Sequence, residues 1–310
     1  MRAIVVGYGG IGKNVYVPQL EQLGYKVYIV DPAVKEAAYA TVNDVPKNLE
    51  FDVAVVCCPN VHHLNAVLEL SDVCKNILVE KPGLANTRAW LNTVHRLMEK
   101  GVWVSLVKNN LYRKDIDKFE SLVDLEEVSK IEINWINKDR IPNPGGWFTN
   151  KELAFGGVTH DLFPHLYCFM FALVPFHLFN EQIPETFKMQ RWDLHSLGDN
   201  TDYGTINRSG VYNVCDYAEA HYYIHRDDEP LPVSLKASWK EGYDDQAIHI
   251  YYKSGGSLRV EFGLCPDDAY GRMIESFVNG KFMGYERQTW IEQDFDKWIH
   301  AQLEMFDREN

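Results

Sequence analysis

Residues 3–12 read "AIVVGYGGIG", and the fold follows from how this stretch is read. Residues 3–6 are four small or β-branched apolar residues in a row, a short buried strand. Gly7, Gly9 and Gly12 come next at G-x-G-x-x-G spacing. Gly7 permits a tight turn, Gly9 lets backbone approach a pyrophosphate, and Gly12 lets a helix pack close to the strand. The helix start offers its unpaired N–H groups and positive dipole end to the phosphates, so Gly10 and Ile11 complete the expected cradle. That helix is expected to run to Gly24, with a bend at Pro18. The next strand, "YKVYIV", leads into Asp31, 19 residues after Gly12. Glycines at this spacing also occur in ordinary turns of α/β proteins. A strand before, a helix after and an acid at this distance mark a dinucleotide site. Asp31 is expected to hydrogen-bond the adenosine ribose and to repel a 2′-phosphate, favouring NAD over NADP. Lys35 nearby works against that preference.

The alternation continues through the first third. "FDVAVVCCP" is a near-continuous apolar strand, as central parallel strands are. "VHHLNAVLEL" reads as its helix, "NILVE" as a strand, "TRAWLNTVHRLMEK" as a helix and "VWVSLV" as a strand. This predicts a dinucleotide-binding domain over residues 1–111. From Tyr112 the pattern changes. After a helical "KDIDKFESLVDL" come "SKIEINWI", "FKMQRW", "NVCDYAEAHYYIH", "PVSLKASW", "AIHIYYK" and "SLRVEFGL", several alternating apolar and polar residues. "KSGGS" is a hairpin turn signal. "WIEQDFDKWIHAQLEMF" closes the chain as an amphipathic helix. A second domain over residues 112–310 is therefore expected to be α/β, with a large, open-faced, mainly antiparallel sheet. The free face suits a homodimer or homotetramer interface.

The 310 residues suit two domains. The net charge of −13 disfavours nucleic acid and anionic membrane as partners. No apolar run is long enough for a membrane span, and the N-terminus does not read as a signal peptide. The six cysteines lack C-x-x-C spacing and read as reduced thiols of a cytoplasmic protein.

Two polar motifs remain. "NILVE" runs into Glu80-Lys81-Pro82, and ligands of open α/β sheets lie beyond the carboxyl ends of the strands. Further on, residues 156–165 read "GGVTHDLFPH". With Thr159 as N-cap of a helix, Asp161 and His165 fall on one face, four residues apart. Read alone, Asp161 is equally a first-turn acid that suits the dipole, and His165 a packed core residue.

Taken in order, "GYGGIG", "CCPNVHH", "VEKP" and "GGVTHDLFPH" resemble the Gfo/Idh/MocA oxidoreductases, named for glucose–fructose oxidoreductase and inositol dehydrogenase. The resemblance covers nearly the whole chain and is specific over the first 110 residues and at 156–165. It implies a Rossmann domain followed by an open-sheet α/β domain, a nicotinamide cofactor, and a sugar, cyclitol or sugar-derivative substrate. It also implies that Lys81, Asp161 and His165 form the catalytic group. Pro59, Asn60, His63, Glu80 and Lys81 are then expected at the cofactor. His62 or His63 borders the nicotinamide or merely starts a helix. Asn109, Trp147 and His160 are candidates for substrate contact. No metal is expected, because His62, His160, Asp161 and His165 lack a compact ligand spacing. The sequence departs from the family's glycines at Phe155 and Phe163, and Pro164 follows. Imine or aldehyde reduction, NAD-dependent glycoside cleavage and a non-catalytic cofactor-binding regulator are the alternatives on the same fold.

Overall fold

The computed structural model describes residues 1–191, 194, 197, 205–226, 229–286 and 291–308. Trp192 and Trp290, at the ends of two expected elements, lie outside these residues. The chain forms two compact units, Met1–Arg113 with Pro266–Ala301, and Lys114–Cys265 with Gln302–Asn310.

The first unit holds β1 (Arg2–Val6), α1 (Val17–Gln22), β2 (Lys26–Val30), β3 (Val53–Val56), α2 (His63–Leu70), β4 (Asn76–Val79), α3 (Thr87–Met98) and β5 (Trp103–Leu106). The five strands pair in parallel in the order β2-β1-β3-β4-β5. The order reverses between β1 and β3, so the crevice of a doubly wound sheet opens beyond Val6 and Val56. The expected bend near Pro18 takes a specific form. A wide turn over Gly12–Tyr16 ends with Val17 N–H donating to the Gly12 carbonyl, five residues back, just before Pro18 enters α1. The widened turn accommodates a ring that would otherwise crowd the preceding carbonyls.

The second unit holds α4 (Ile116–Leu122), β6 (Val128–Lys138), α5 (Lys151–Ala154), α6 (Val158–Leu173), β7 (Thr186–Gln190), β8 (Tyr217–Ile224), β9 (Leu231–Glu241), β10 (Asp245–Tyr252) and β11 (Ser257–Glu261). Its six strands run in the order β11-β10-β6-β9-β8-β7. All neighbours are antiparallel except β6 and β9, which are parallel at the centre. A parallel pair needs a long crossover, and that crossover carries α6. The other face bears a polar lattice. Tyr251 Oη and Lys130 Nζ reach Glu132, while Asn134, His249 and Arg259 converge on Asp245.

The sequence placed a single boundary at residue 111, and the structure corrects it. Residues 266–301, carrying α7 (Asp267–Val278), β12 (Lys281–Phe282), β13 (Tyr285–Glu286) and the start of α8 (Ile291–Arg308), return to the first unit. Met273, Ile274 and Phe277 of α7 share one core with Val5, Tyr16, Val55 and Leu78. An amphipathic pattern reveals that a helix has an apolar face, but not which sheet covers it. Among the described residues no helix is long and apolar enough to cross a membrane.

The returning helix also buries charge. Lys108, 2% exposed, places Nζ 2.5 Å from Asp296 Oδ1, 2.8 Å from the Leu106 carbonyl and 3.5 Å from Glu292 Oε1. Ser105 donates to Glu292, and Leu106 N–H to Asp296. One buried ammonium thus meets two buried carboxyls. Burial pushes the Asp296 carboxyl up, Lys108 pulls it down and Glu292 raises it again, to about 7. A carboxyl raised in the folded state stabilises through its proton. That contribution is complete below the usual carboxylate range and is lost as pH climbs through about 7. Glu292→Gln removes the surplus negative charge. The Tm of the variant relative to wild type is therefore expected to rise with pH across this window. A difference that is flat with pH would show that no surplus charge is held.

Candidate active site

The glycine turn divides into packed and open halves. Gly7 has φ +101°, in the left-handed region, and a Cβ there would lie 2.6 Å from Cys58 N. Its N–H donates to the Val30 carbonyl at 2.9 Å. A Cβ at Gly12 would lie 2.2 Å from the Gly7 carbonyl oxygen, whereas nothing lies within 4 Å of one at Gly9 or Gly10. The turn thus keeps an open backbone surface at the first turn of the helix, the cradle a pyrophosphate needs. Asp31 Oδ2 accepts from Tyr8 N–H and Oδ1 from Ala33 N–H, both at 2.8 Å. The carboxylate is thereby fixed beside the turn, and its oxygens have further acceptor capacity for ribose hydroxyls. These residues fit a dinucleotide.

Beyond β3, Cys57 N–H donates to the Val6 carbonyl at 2.8 Å. Burial raises both neighbouring thiols, Cys58 to about 11, so neither is a ready nucleophile. Pro59 is half-buried and Asn60 buried. His62 is exposed at the start of α2.

Lys81 is half-buried on a loop braced by other residues of the same unit. Tyr16 Oη donates to Glu80 Oε1 at 2.6 Å, and Glu80 Oε2 accepts from Lys81 N–H at 3.1 Å. His63 places its ring nitrogens 2.9 Å from the Cys58 carbonyl and 2.8 Å from that of Gly83. Burial holds this imidazole below its ordinary pKa, against the pull of the two carbonyls. His300 Nε2 accepts from Leu84 N–H at 3.1 Å, and a Cβ on Gly83 would lie 2.4 Å from that nitrogen. Glu80 and His63 were expected at the cofactor; the structure gives both ring and carboxylate partners inside the protein. Tyr16 and His300 were not anticipated, and His300 lies more than 200 residues from the loop it holds.

In the second unit α6 begins at Val158 with Gly157 as its N-cap, two residues earlier than a Thr159 cap implies. Thr159 Oγ1 instead lies 3.0 Å from His160 Nδ1. His160 is buried, paired across 3.6 Å with Asp307, and a Cβ on Gly156 would sit 1.9 Å from its ring. Burial raises the Asp307 carboxyl, but the hydrogen bonds and charges of His160 and Lys151 outweigh it and hold it below the usual range. His160, a candidate for substrate contact, is thus buried and held by Thr159 and Asp307 within the second unit. From residue 156 to residue 170, only Asp161 and His165 escape burial. Trp239 Nε1–H donates to Asp161 Oδ2 at 2.8 Å, and the rings of Trp135 and His165 lie 5.3 Å apart at 32°. Phe163 packs on Phe306 at 4.6 Å in the core. Phe155 takes φ +68°, a value that suits glycine.

Of the remaining candidates, Trp147 is half-buried against Phe148, with ring centroids 4.0 Å apart, and Asn109 is buried after β5. Lys81 lies on the first unit, Asp161 and His165 on the second. Among the described residues no group of three or more His, Cys, Asp or Glu is placed to hold a metal ion.

Residues 1–107 match the family model described as "Oxidoreductase family, NAD-binding Rossmann fold". A protein of Amycolatopsis mediterranei (strain S699), named as an oxidoreductase subunit of UDP-kanosamine synthase, is 28% identical over 283 residues, covering 86% of this chain and 77% of its own. The crystal structure of GenD2 from gentamicin A biosynthesis, in complex with NAD, shares the fold with TM-score 0.70 at 16% identity, over 98% of this chain and 92% of that one. The super-repressor mutant of Gal80p from Saccharomyces cerevisiae shares it with TM-score 0.72 at 13% identity, over 100% and 95%.

The two kinds of glycine separate experimentally. Gly9→Ala is expected to keep the wild-type Tm and weaken NAD binding, measured by calorimetry, by about tenfold or more. Gly12→Ala is expected to lower Tm, because backbone must move to admit the methyl. Equal Tm losses in both would contradict the division.

Proposed function

We propose that this chain, whose first 107 residues match the oxidoreductase family model with an NAD-binding Rossmann fold, is a Gfo/Idh/MocA oxidoreductase that oxidises a secondary alcohol or hemiacetal of a sugar, cyclitol or sugar derivative reversibly with NAD. The observation that carries this reading is the pair Asp161 and His165, left accessible on an otherwise buried stretch. The open glycine cradle and the fixed Asp31 support NAD as the cofactor. Fold alone does not decide the matter, since proteins named as dehydrogenases and a super-repressor share it.

NAD, when bound, supplies the hydride acceptor. His165 accepts the proton of the substrate hydroxyl as the C–H electron pair leaves, and passes it to water. The Lys81 ammonium donates a hydrogen bond to that oxygen and offsets the negative charge it develops. Asp161 accepts from substrate hydroxyls and sets the ring's orientation. The product is the carbonyl compound. A non-catalytic regulator needs no acid–base pair of this kind, and the retained lysine and histidine favour the enzyme.

UDP-linked hexoses are the first substrates to try, because a relative's name carries a UDP-sugar. NADH formation is to be followed by absorbance with aldoses, inositols and UDP-sugars, and NADH consumption with their carbonyl forms. One class is expected to react, and Lys81→Met and His165→Ala to lower kcat by about a hundredfold each. Near-wild-type turnover in both variants would overturn these roles. No turnover with any class, while NAD still binds, would favour the regulator. We further propose a homodimer or homotetramer through the open sheet face, which light scattering tests; a monomeric mass would rule it out.

A further inference from the structure

We infer that Trp239 and Trp135 are positioning residues, two indoles from adjacent strands that hold Asp161 and His165 in register on α6. The inference rests on the proposed roles of those two residues.

The strands dictate the arrangement. Trp135 of β6 stands opposite Ala237 of β9 in the parallel pair. Trp239 lies two residues past Ala237 and so on the same face of the sheet. On β6, Ile131, Ile133 and Trp135 are buried, and on β9, Leu235, Ala237 and Trp239. Asp161 and His165 are one helical turn apart on α6, on one face. Each meets one indole: Trp239 Nε1–H donates to Asp161 Oδ2 at 2.8 Å, and the Trp135 ring lies 5.3 Å from that of His165. Trp135 is in turn backed by Phe262 at 5.3 Å.

Trp239 is 1% exposed, and a buried indole N–H needs an acceptor. It finds a carboxylate, and a bond to a charged group is among the stronger hydrogen bonds. The bond selects one rotamer of Asp161 and commits Oδ2. Trp135 acts by contact alone, limiting the swing of the imidazole. Rigid groups behind reacting groups preserve the geometry on which rate depends. If Trp239 served only to fill the core, the N–H would be dispensable and phenylalanine would replace it without kinetic effect.

The test has a spectroscopic and a kinetic arm. In the ¹⁵N-labelled protein without substrate, the indole resonance missing from Trp239→Phe identifies Trp239. Asp161→Asn is expected to move that resonance upfield; an unmoved resonance overturns the contact. With NAD⁺ and the panel sugar giving the largest NADH signal, Trp239→Phe is expected to lower kcat by about tenfold or more while leaving KM for NAD⁺ unchanged. The double variant with Asp161→Asn should be no slower than Asp161→Asn alone. Trp135→Leu should also slow kcat by about tenfold, and Trp135→Phe should restore it. Wild-type kcat in Trp239→Phe, multiplied losses in the double variant, or no rescue at position 135 would overturn the inference alone. Wild-type turnover in Asp161→Asn would overturn the proposed role of Asp161, and the inference with it.

Discussion

The first unit depends on one close approach of backbone to backbone. The helix after β1 starts so near the end of the strand that a methyl on Gly12 would overlap the Gly7 carbonyl. Gly7 in turn presses against the peptide between Cys57 and Cys58, at the end of the neighbouring strand. These contacts lie where the strand order reverses. They leave the first helical turn uncovered on its outer side, and Asp31 is anchored to it through Tyr8 N–H. An open backbone surface results because side chains are missing where backbone must pack, and missing again on the outer side, the form that suits a phosphate.

The Lys81 loop shows a second kind of constraint. Its backbone is held by a carboxylate, an imidazole and a second imidazole, all buried and all bonded within the same unit. Polar braces of this kind hold a unique geometry only when each partner is satisfied. The last of them comes from α8, so the loop is complete only when the C-terminal segment has returned. The same helix brings Glu292 and Asp296 to Lys108, a cluster whose charge does not cancel without a retained proton.

In the second unit the parallel pair β6 and β9 has a consequence for the site. The crossover that makes the pair parallel carries α6, and inward-facing indoles of both strands meet its polar residues. Phe155 and Phe163, where the sequence departs from the glycines of the resemblance, fall elsewhere. Phe163 is core packing against Phe306, and Phe155 occupies a left-handed position before the glycine pair. Neither alters Asp161 or His165, which stay accessible amid buried neighbours.

Local pattern by itself determined the alternation of strands and helices in the first third, the open glycine turn with Asp31 near it, and the face shared by Asp161 and His165. Those features depend on residues near one another in the chain, and spacing of 2 or 3.6 residues encodes them directly. Tertiary structure alone decided that residues 266–301 rejoin the first unit and that β6 pairs with β9 in parallel. It also decided that Glu80, His63 and His160 bond inward, that Tyr16 and His300 hold the Lys81 loop within the first unit, and that Trp239 and Trp135 meet Asp161 and His165 within the second. Each of these depends on partners up to 216 residues apart. An amphipathic helix or a buried tryptophan announces that it needs a partner; which partner it finds is settled only when the chain has folded.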